Sequence, residues 1–161
     1  MIPDELRQRL VERVAGAFTR REAAVDVLKG LQAHYGWLTD EAMAEAAGLL
    51  GLSELQLEEL ATFYEMLYRR PVGKVVVHVC DSISCWSLGG ESLLAGLATA
   101  LGIGVGETTP DGLITLLPCC CLGNCVDAPA MMIGDQVYGR LNPTGALALI
   151  RERQSSVKGG V

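Results

Sequence analysis

The chain has 161 residues, 50% of them hydrophobic and 20% charged, enough for one ordinary domain or two small ones. A net charge of −6 and a pI near 4.9 argue against nucleic-acid binding, and no Lys/Arg cluster exceeds two residues (Arg20-Arg21, Arg69-Arg70). No apolar run approaches a bilayer-spanning length, and Met1-Ile2-Pro3-Asp4-Glu5 lacks the basic-then-apolar pattern of a secretory signal. A cytoplasmic chain without direct membrane insertion is expected, and six cysteines in that compartment do not form a disulfide framework.

Residues 1–70 read as a helical bundle. Asp4–Val14 supplies one helix. Glu22–Leu31 places Ala24, Val25, Val27, Leu28 and Leu31 at helical spacing and ends before Gly36, a suitable left-handed cap. Another helix runs from Asp40 to Leu50, with Thr39 or Asp40 as N-cap and Gly51 past its end. Ser53-x-x-Gln56 is a capping box that opens the next, whose Leu60, Tyr64 and Leu67 share a face. Trp37, Phe63, Tyr64 and Tyr68 read as core or interface.

Arg70-Pro71-Val72-Gly73 breaks the helical pattern and sets the boundary to a second domain at 71–155. Lys74–Cys80 is nearly solid β-branched, as in a strand covered on both faces. Leu93, Leu94, Leu97 and Leu101 give a helix that starts near Ser87. Leu113–Leu117 is a second strand, extending to Pro118. Met131–Ile133 and Gln136–Tyr138 flank Gly134-Asp135, a two-residue hairpin loop. Asn142-Pro143 opens a last helix that ends near Arg153, and a disordered tail is expected at 156–161. The order strand, helix, strand, hairpin, helix predicts a mixed α+β or α/β chain: an N-terminal helical bundle, then a thioredoxin-like layer.

Four cysteines pair as Cys80-x4-Cys85 and Cys121-x3-Cys125, each pair just past a strand. Zinc modules favour C-x2-C, whereas iron–sulfur clusters accept wider spacings such as C-x4-C, so a [2Fe–2S] electron carrier is the first reading. Both pairs can meet only if the two strands lie side by side and parallel. Leu122-Gly123-Asn124 can turn its amides towards sulfur, Asp81-Ser82-Ile83-Ser84 offers hydroxyls, and the helix start near Ser87 adds a favourable dipole. Cys120-x4-Cys125 repeats the first spacing, so spacing alone leaves Cys120 and Cys121 both open as third ligand. Two of the three consecutive cysteines are then packing residues. His78 shares a strand face with Cys80, but a Rieske centre needs two histidines; His34 belongs to a helix end. Gly102-Ile103-Gly104-Val105-Gly106 follows a helix instead of opening one and is a connection, not a dinucleotide fingerprint.

Several motifs together resemble one family. They are Cys80-Asp81-Ser82-x-x-Cys85, Glu107-Thr108-Thr109-x-Asp111-Gly112, Leu116-Leu117-Pro118-x-Cys120-Cys121-Leu122-Gly123-Asn124-Cys125 and Pro129-x-Met131-Met132. His34-Tyr35-Gly36-Trp37-Leu38 and Ala61-Thr62-Phe63-Tyr64 add to them. The family is the thioredoxin-like [2Fe–2S] ferredoxins that serve as the E subunit of NADH-quinone oxidoreductase (respiratory complex I), and the likeness covers residues 20–150. It implies Cys80, Cys85, Cys121 and Cys125 as ligands of one [2Fe–2S] cluster, with Cys119 and Cys120 as bystanders. It also implies a partner flavoprotein that carries FMN and NADH and exchanges electrons with the cluster. The chain itself would carry electrons and hold no catalytic residue. Other peripheral-arm subunits would hold the assembly at the inner membrane.

Related subunits serve NAD-linked formate dehydrogenases and hydrogenases, and Asp-Ser after Cys80 with Leu-Leu-Pro before the triple cysteine favours the respiratory version. A structural zinc module and a thiol–disulfide oxidoreductase are the competing readings; the latter lacks Cys-x-x-Cys. The helical region, with Tyr68 and Trp37, is expected to dock the flavoprotein.

Overall fold

The structure, a computed structural model, describes residues 2–158. The chain separates into two compact units, Met1–Pro71 and Val72–Val161.

The first unit has four helices: α1 Asp4–Ala15, α2 Ala24–Tyr35, α3 Asp40–Leu50 and α4 Glu54–Phe63. Their ends follow local chemistry. Gly36 (φ +85°) closes α2 and Gly51 (φ +62°) closes α3. The Thr39 hydroxyl accepts the Ala42 N–H, and Ser53 and Gln56 form the reciprocal box at α4. The core gathers Leu10, Val27, Leu28, Leu31, Met43, Leu50 and Leu57, and each fully buried leucine contributes about 2 kcal/mol relative to exposure.

Helix α4 stops at Phe63, so Tyr64 and Leu67 do not continue its face as expected. Tyr64 is already extended (φ −90°, ψ 111°). The reason lies in α2. The Gln32 side-chain amide donates to the Met66 carbonyl (2.8 Å) and accepts the Tyr68 N–H (2.6 Å), pinning the turn at 65–67 in place of further helix. Arg69 then anchors it to Glu58 (2.8 Å), Asp40 (2.9 Å) and the Leu38 carbonyl.

The second unit is a four-stranded mixed sheet in the order β2-β1-β3-β4, built from β1 Val75–Cys80, β2 Ile114–Cys119, β3 Met131–Ile133 and β4 Gln136–Tyr138. Strand β1 lies parallel to β2 with Cys80 opposite Cys119, as the cysteine argument requires. The hairpin forms as expected, with Ile133 paired to Gln136 across Gly134-Asp135. Val75, Val77 and Val79 pack against Leu93 and Leu97 of α6 (Gly90–Leu101) and Ala146 and Ile150 of α7 (Pro143–Lys158). Strand β2 runs one residue past Pro118, which its edge position permits because an outer N–H is dispensable there.

Two expectations are corrected. No helix starts at Ser87: Ile83–Ser87 form a separate short helix, α5, with Cys85 inside it, and α6 starts only after Gly89 (φ +98°). The dipole invoked at Ser87 is therefore absent. The tail expected to be disordered at 156–161 is helical through Lys158, because Val157 packs on the same core as Ala146 and Ile150. Residues 159–161 lie outside the described residues.

Candidate metal centre

The cysteines collect where β1 and β2 end. The Cys80 N–H donates to the Ala130 carbonyl (3.0 Å), and the Asp81 N–H donates to that of Cys119 (3.0 Å). Cys80, Cys85 and Cys119 form a small buried cluster with Ala130. Within it the Cys80 and Cys85 thiols are hydrogen-bonded to one another, and the Ala130 N–H is directed at the Cys85 sulfur. Burial, then the Cys80 contact, pushes the Cys85 thiol up to about 11.

The other pair is open to solvent. Cys121 and Cys125 are exposed, their sulfurs 3.3 Å apart. Gly123 takes φ +77°, a conformation that favours glycine, and this aims its N–H at the Cys121 sulfur (3.4 Å). That amide, and then the Cys125 contact, holds Cys121 below the usual thiol range; Cys125, facing Cys121, is raised. The Ser84 hydroxyl donates to Cys125 and so links α5 to the second loop.

Two close approaches fix these loops. A Cβ on Gly90 would stand 2.8 Å from the Cys85 carbonyl oxygen and 3.2 Å from that of Cys80. On Gly139 it would stand 2.5 Å from the Asp127 oxygen in the 3-10 turn Cys125–Asp127. Arg140 continues that clamp, its N–H donating to the Asp127 carbonyl (2.5 Å) and its Nε to Oδ1 (2.7 Å). Sequence reasoning did not find Gly90, Gly139, Arg140 or Ala130, since their roles are backbone contacts between segments far apart in the chain.

The structure thus brings together Cys80 with Cys85 and Cys121 with Cys125, and Cys125 is close enough to interact electrostatically with Cys80 and Cys85. Among the described residues no three His, Cys, Asp or Glu side chains are grouped to hold one metal ion. The donor set is four thiols in two pairs, with two backbone amides and one hydroxyl directed at sulfur, and such a set fits an all-thiolate cluster with two irons. Cys119 packs in the interior, whereas Cys120 is exposed and is not a packing residue. His78 is buried on β1 opposite Met132; His34 lies exposed at the end of α2, edge-on to Tyr35 (4.9 Å). Gly102 (φ +67°) closes α6, as a connection would.

Fold and site define a small α/β protein whose chemistry is carried by sulfur. Residues 8–154 match the model of the thioredoxin-like [2Fe-2S] ferredoxins. The E subunit of NADH-quinone oxidoreductase from Pseudomonas aeruginosa is 44% identical over 130 residues, covering 81% of this chain and 78% of that protein. Its counterpart of the same name from Escherichia coli K12 is 42% identical over 123 residues, covering 76% and 74%. A crystal structure of an NAD+-reducing [NiFe]-hydrogenase in the air-oxidized state matches with a TM-score of 0.67 at 25% identity, covering 81% of this chain and 23% of that one. The chain belongs to the thioredoxin-like [2Fe-2S] ferredoxin family, the one its motifs resemble. No helix among the described residues is long and apolar enough to cross a membrane.

Proposed function

We propose that this chain is the electron-carrying subunit of an NADH:quinone oxidoreductase, holding one [2Fe–2S] cluster on Cys80, Cys85, Cys121 and Cys125. The observation that carries the reading is the two thiol pairs at the ends of adjacent parallel strands, in a chain 44% identical to the Pseudomonas aeruginosa protein. When bound, such a cluster takes up and gives back one electron at a time. The protein supplies its position and its electrostatics. The four thiols must lose their protons to bind, a step that burial opposes at Cys85 and that the Ala130 N–H there eases. The Gly123 amide and the Ser84 hydroxyl do the same for Cys121 and Cys125. The exposed outer pair leaves that edge of the site open to a partner, which we take to be a flavoprotein holding FMN and NADH.

The hydrogenase match supports a second reading, the equivalent subunit of an NAD-linked hydrogenase. There the corresponding segment is under a quarter of a longer chain. The higher identity to the Pseudomonas aeruginosa and Escherichia coli proteins favours the respiratory assignment, with the complex bound at the inner membrane through its other subunits.

Purified protein should be reddish-brown, with about two irons and two acid-labile sulfides per chain and an EPR signal on dithionite reduction. A colourless protein that retains one zinc would refute the proposal. Co-purification with a quinone-reducing or a hydrogen-oxidising assembly separates the two readings.

A further inference from the structure

The outer thiol pair is placed for chemistry of its own. Cys121 and Cys125 are both exposed, with their sulfurs 3.3 Å apart. A disulfide holds its sulfurs about 2.05 Å apart, so the two atoms have only roughly 1.3 Å to close. The Leu122-Gly123-Asn124 turn sets this approach. Gly123 at φ +77° folds the chain back, and its N–H lies 3.4 Å from the Cys121 sulfur. Next to Cys125, Val126 is 91% exposed, so a small reagent reaches the turn from solvent.

The inner pair differs in access, not in proximity. Cys80 and Cys85 are hydrogen-bonded to one another but only 1% and 2% exposed. An oxidant in solution therefore meets Cys121 and Cys125 and does not meet Cys80 or Cys85. Cys119 is buried with the inner pair. Cys120 is exposed, yet it adjoins Cys121 in the chain. Consecutive Cα atoms stand about 3.8 Å apart, inside the roughly 4.4–6.8 Å that disulfides span, so a bond between those two would distort the peptide that joins them.

We propose that Cys121 and Cys125 form a reversible dithiol–disulfide site, oxidised by low-molecular-weight disulfides such as glutathione disulfide, that governs whether the chain can take up its cluster. One of the two cysteine thiolates attacks a sulfur of the reagent, forming a mixed disulfide and releasing the first thiol. The other then attacks the protein sulfur, closing the Cys121–Cys125 bond and releasing the second thiol. In all, the two cysteines lose two electrons and two protons, and the reagent's disulfide gains both to end as two thiols. A dithiol reverses the exchange. Sulfur in a disulfide is no longer a thiolate donor, so the oxidised chain offers Cys80 and Cys85 alone. That consequence rests on the ligand set proposed above; the disulfide itself does not. A reducing compartment keeps the pair open, and a rise in oxidised glutathione closes it.

The test uses the full chain, freed of cluster and reduced, then treated without air with one equivalent of glutathione disulfide. Its intact mass should fall by two hydrogens, and four of the six cysteines should stay open to alkylation under denaturing conditions. Peptide mapping should join Cys121 to Cys125. Uptake of a [2Fe–2S] cluster from a purified carrier protein, freed of small thiols, should then be at least tenfold slower than in the reduced chain, and dithiothreitol should restore it. Cys120→Ser should behave as the parent does, whereas Cys125→Ser should stop at the mixed disulfide. A bond between Cys80 and Cys85, a bond through Cys120, or a stable glutathione adduct in the parent would overturn the site and leave the proposed function standing. A Cys121–Cys125 bond with cluster uptake undiminished would overturn both the control of uptake and the ligand set.

Discussion

Cys85 and Cys119 share one small buried cluster but should respond differently to substitution. Cys85, inside α5, is hydrogen-bonded to Cys80 and faced by the Ala130 N–H, as a ligand held in a preset position would be. Cys119 belongs to β2, where its backbone is occupied with β1. Cys85→Ser should lose the cluster or hold it so weakly that iron and sulfide fall well below two per chain, whereas Cys119→Ser should retain both. Iron and sulfide assays decide it, and the reverse result would sink the ligand assignment. In the helical unit, burial pushes the Tyr68 phenol up to about 12. The folded chain therefore keeps a proton that the unfolded chain releases near pH 10. Stability from this group is fully present below pH 10 and is lost as pH rises to about 12. Denaturant titrations at several alkaline pH values should show that decline, and Tyr68→Phe should lessen it. Spacing left Cys120 and Cys121 equivalent because it carries no information on backbone φ. The left-handed turn at Gly123 sends its N–H to Cys121.

At the scale of elements, what the sequence revealed was local. The Ser53–Gln56 box, the Thr39 cap and the glycines after α2 and α3 act within four residues of the backbone they serve, so they could be read directly. The parallel pairing of β1 and β2 was legible for a different reason: two cysteine pairs need it to meet. The end of α4 was not legible, because Gln32, more than thirty residues earlier, sets it. Nor was α5, since five residues are too few for a periodic signal. The Gly89-Gly90 break after α5 brings Gly90 against the carbonyls of Cys85 and Cys80. Gly90→Ala should push that loop outward. The variant should keep its helical circular dichroism but lose iron to a chelator at least several-fold faster than the parent. Equal rates would show that the loop yields at no cost to the site.

At the scale of the whole molecule, the two units have separate cores, one drawn from the four N-terminal helices and the other from the sheet with α6 and α7. Removal of residues 1–70 should therefore leave a fragment that still binds the cluster but fails to co-purify with the flavoprotein proposed as its partner. A fragment that retains its partner would place all docking on the sheet-bearing unit. The aromatics suited to such docking are not those expected from sequence. Trp37 and Tyr68 are half-buried, whereas Phe63 and Tyr64 project from the end of α4 as an edge-to-face pair 5.1 Å apart.

The outer rim of β2 has one more consequence. Gly106 and Thr109 donate to the carbonyls of Leu116 and Ile114, Leu116 donates to Glu107, Ile114 to the Thr109 hydroxyl, and Pro118 has no hydrogen to offer. The sheet's opposite border, β4, is three residues long. Strands laid open in this way are where proteins zip together into aggregates. Here one border is already satisfied and the other is too short to template a neighbour, so a carrier crowded among other subunits is guarded against polymerising with its own kind.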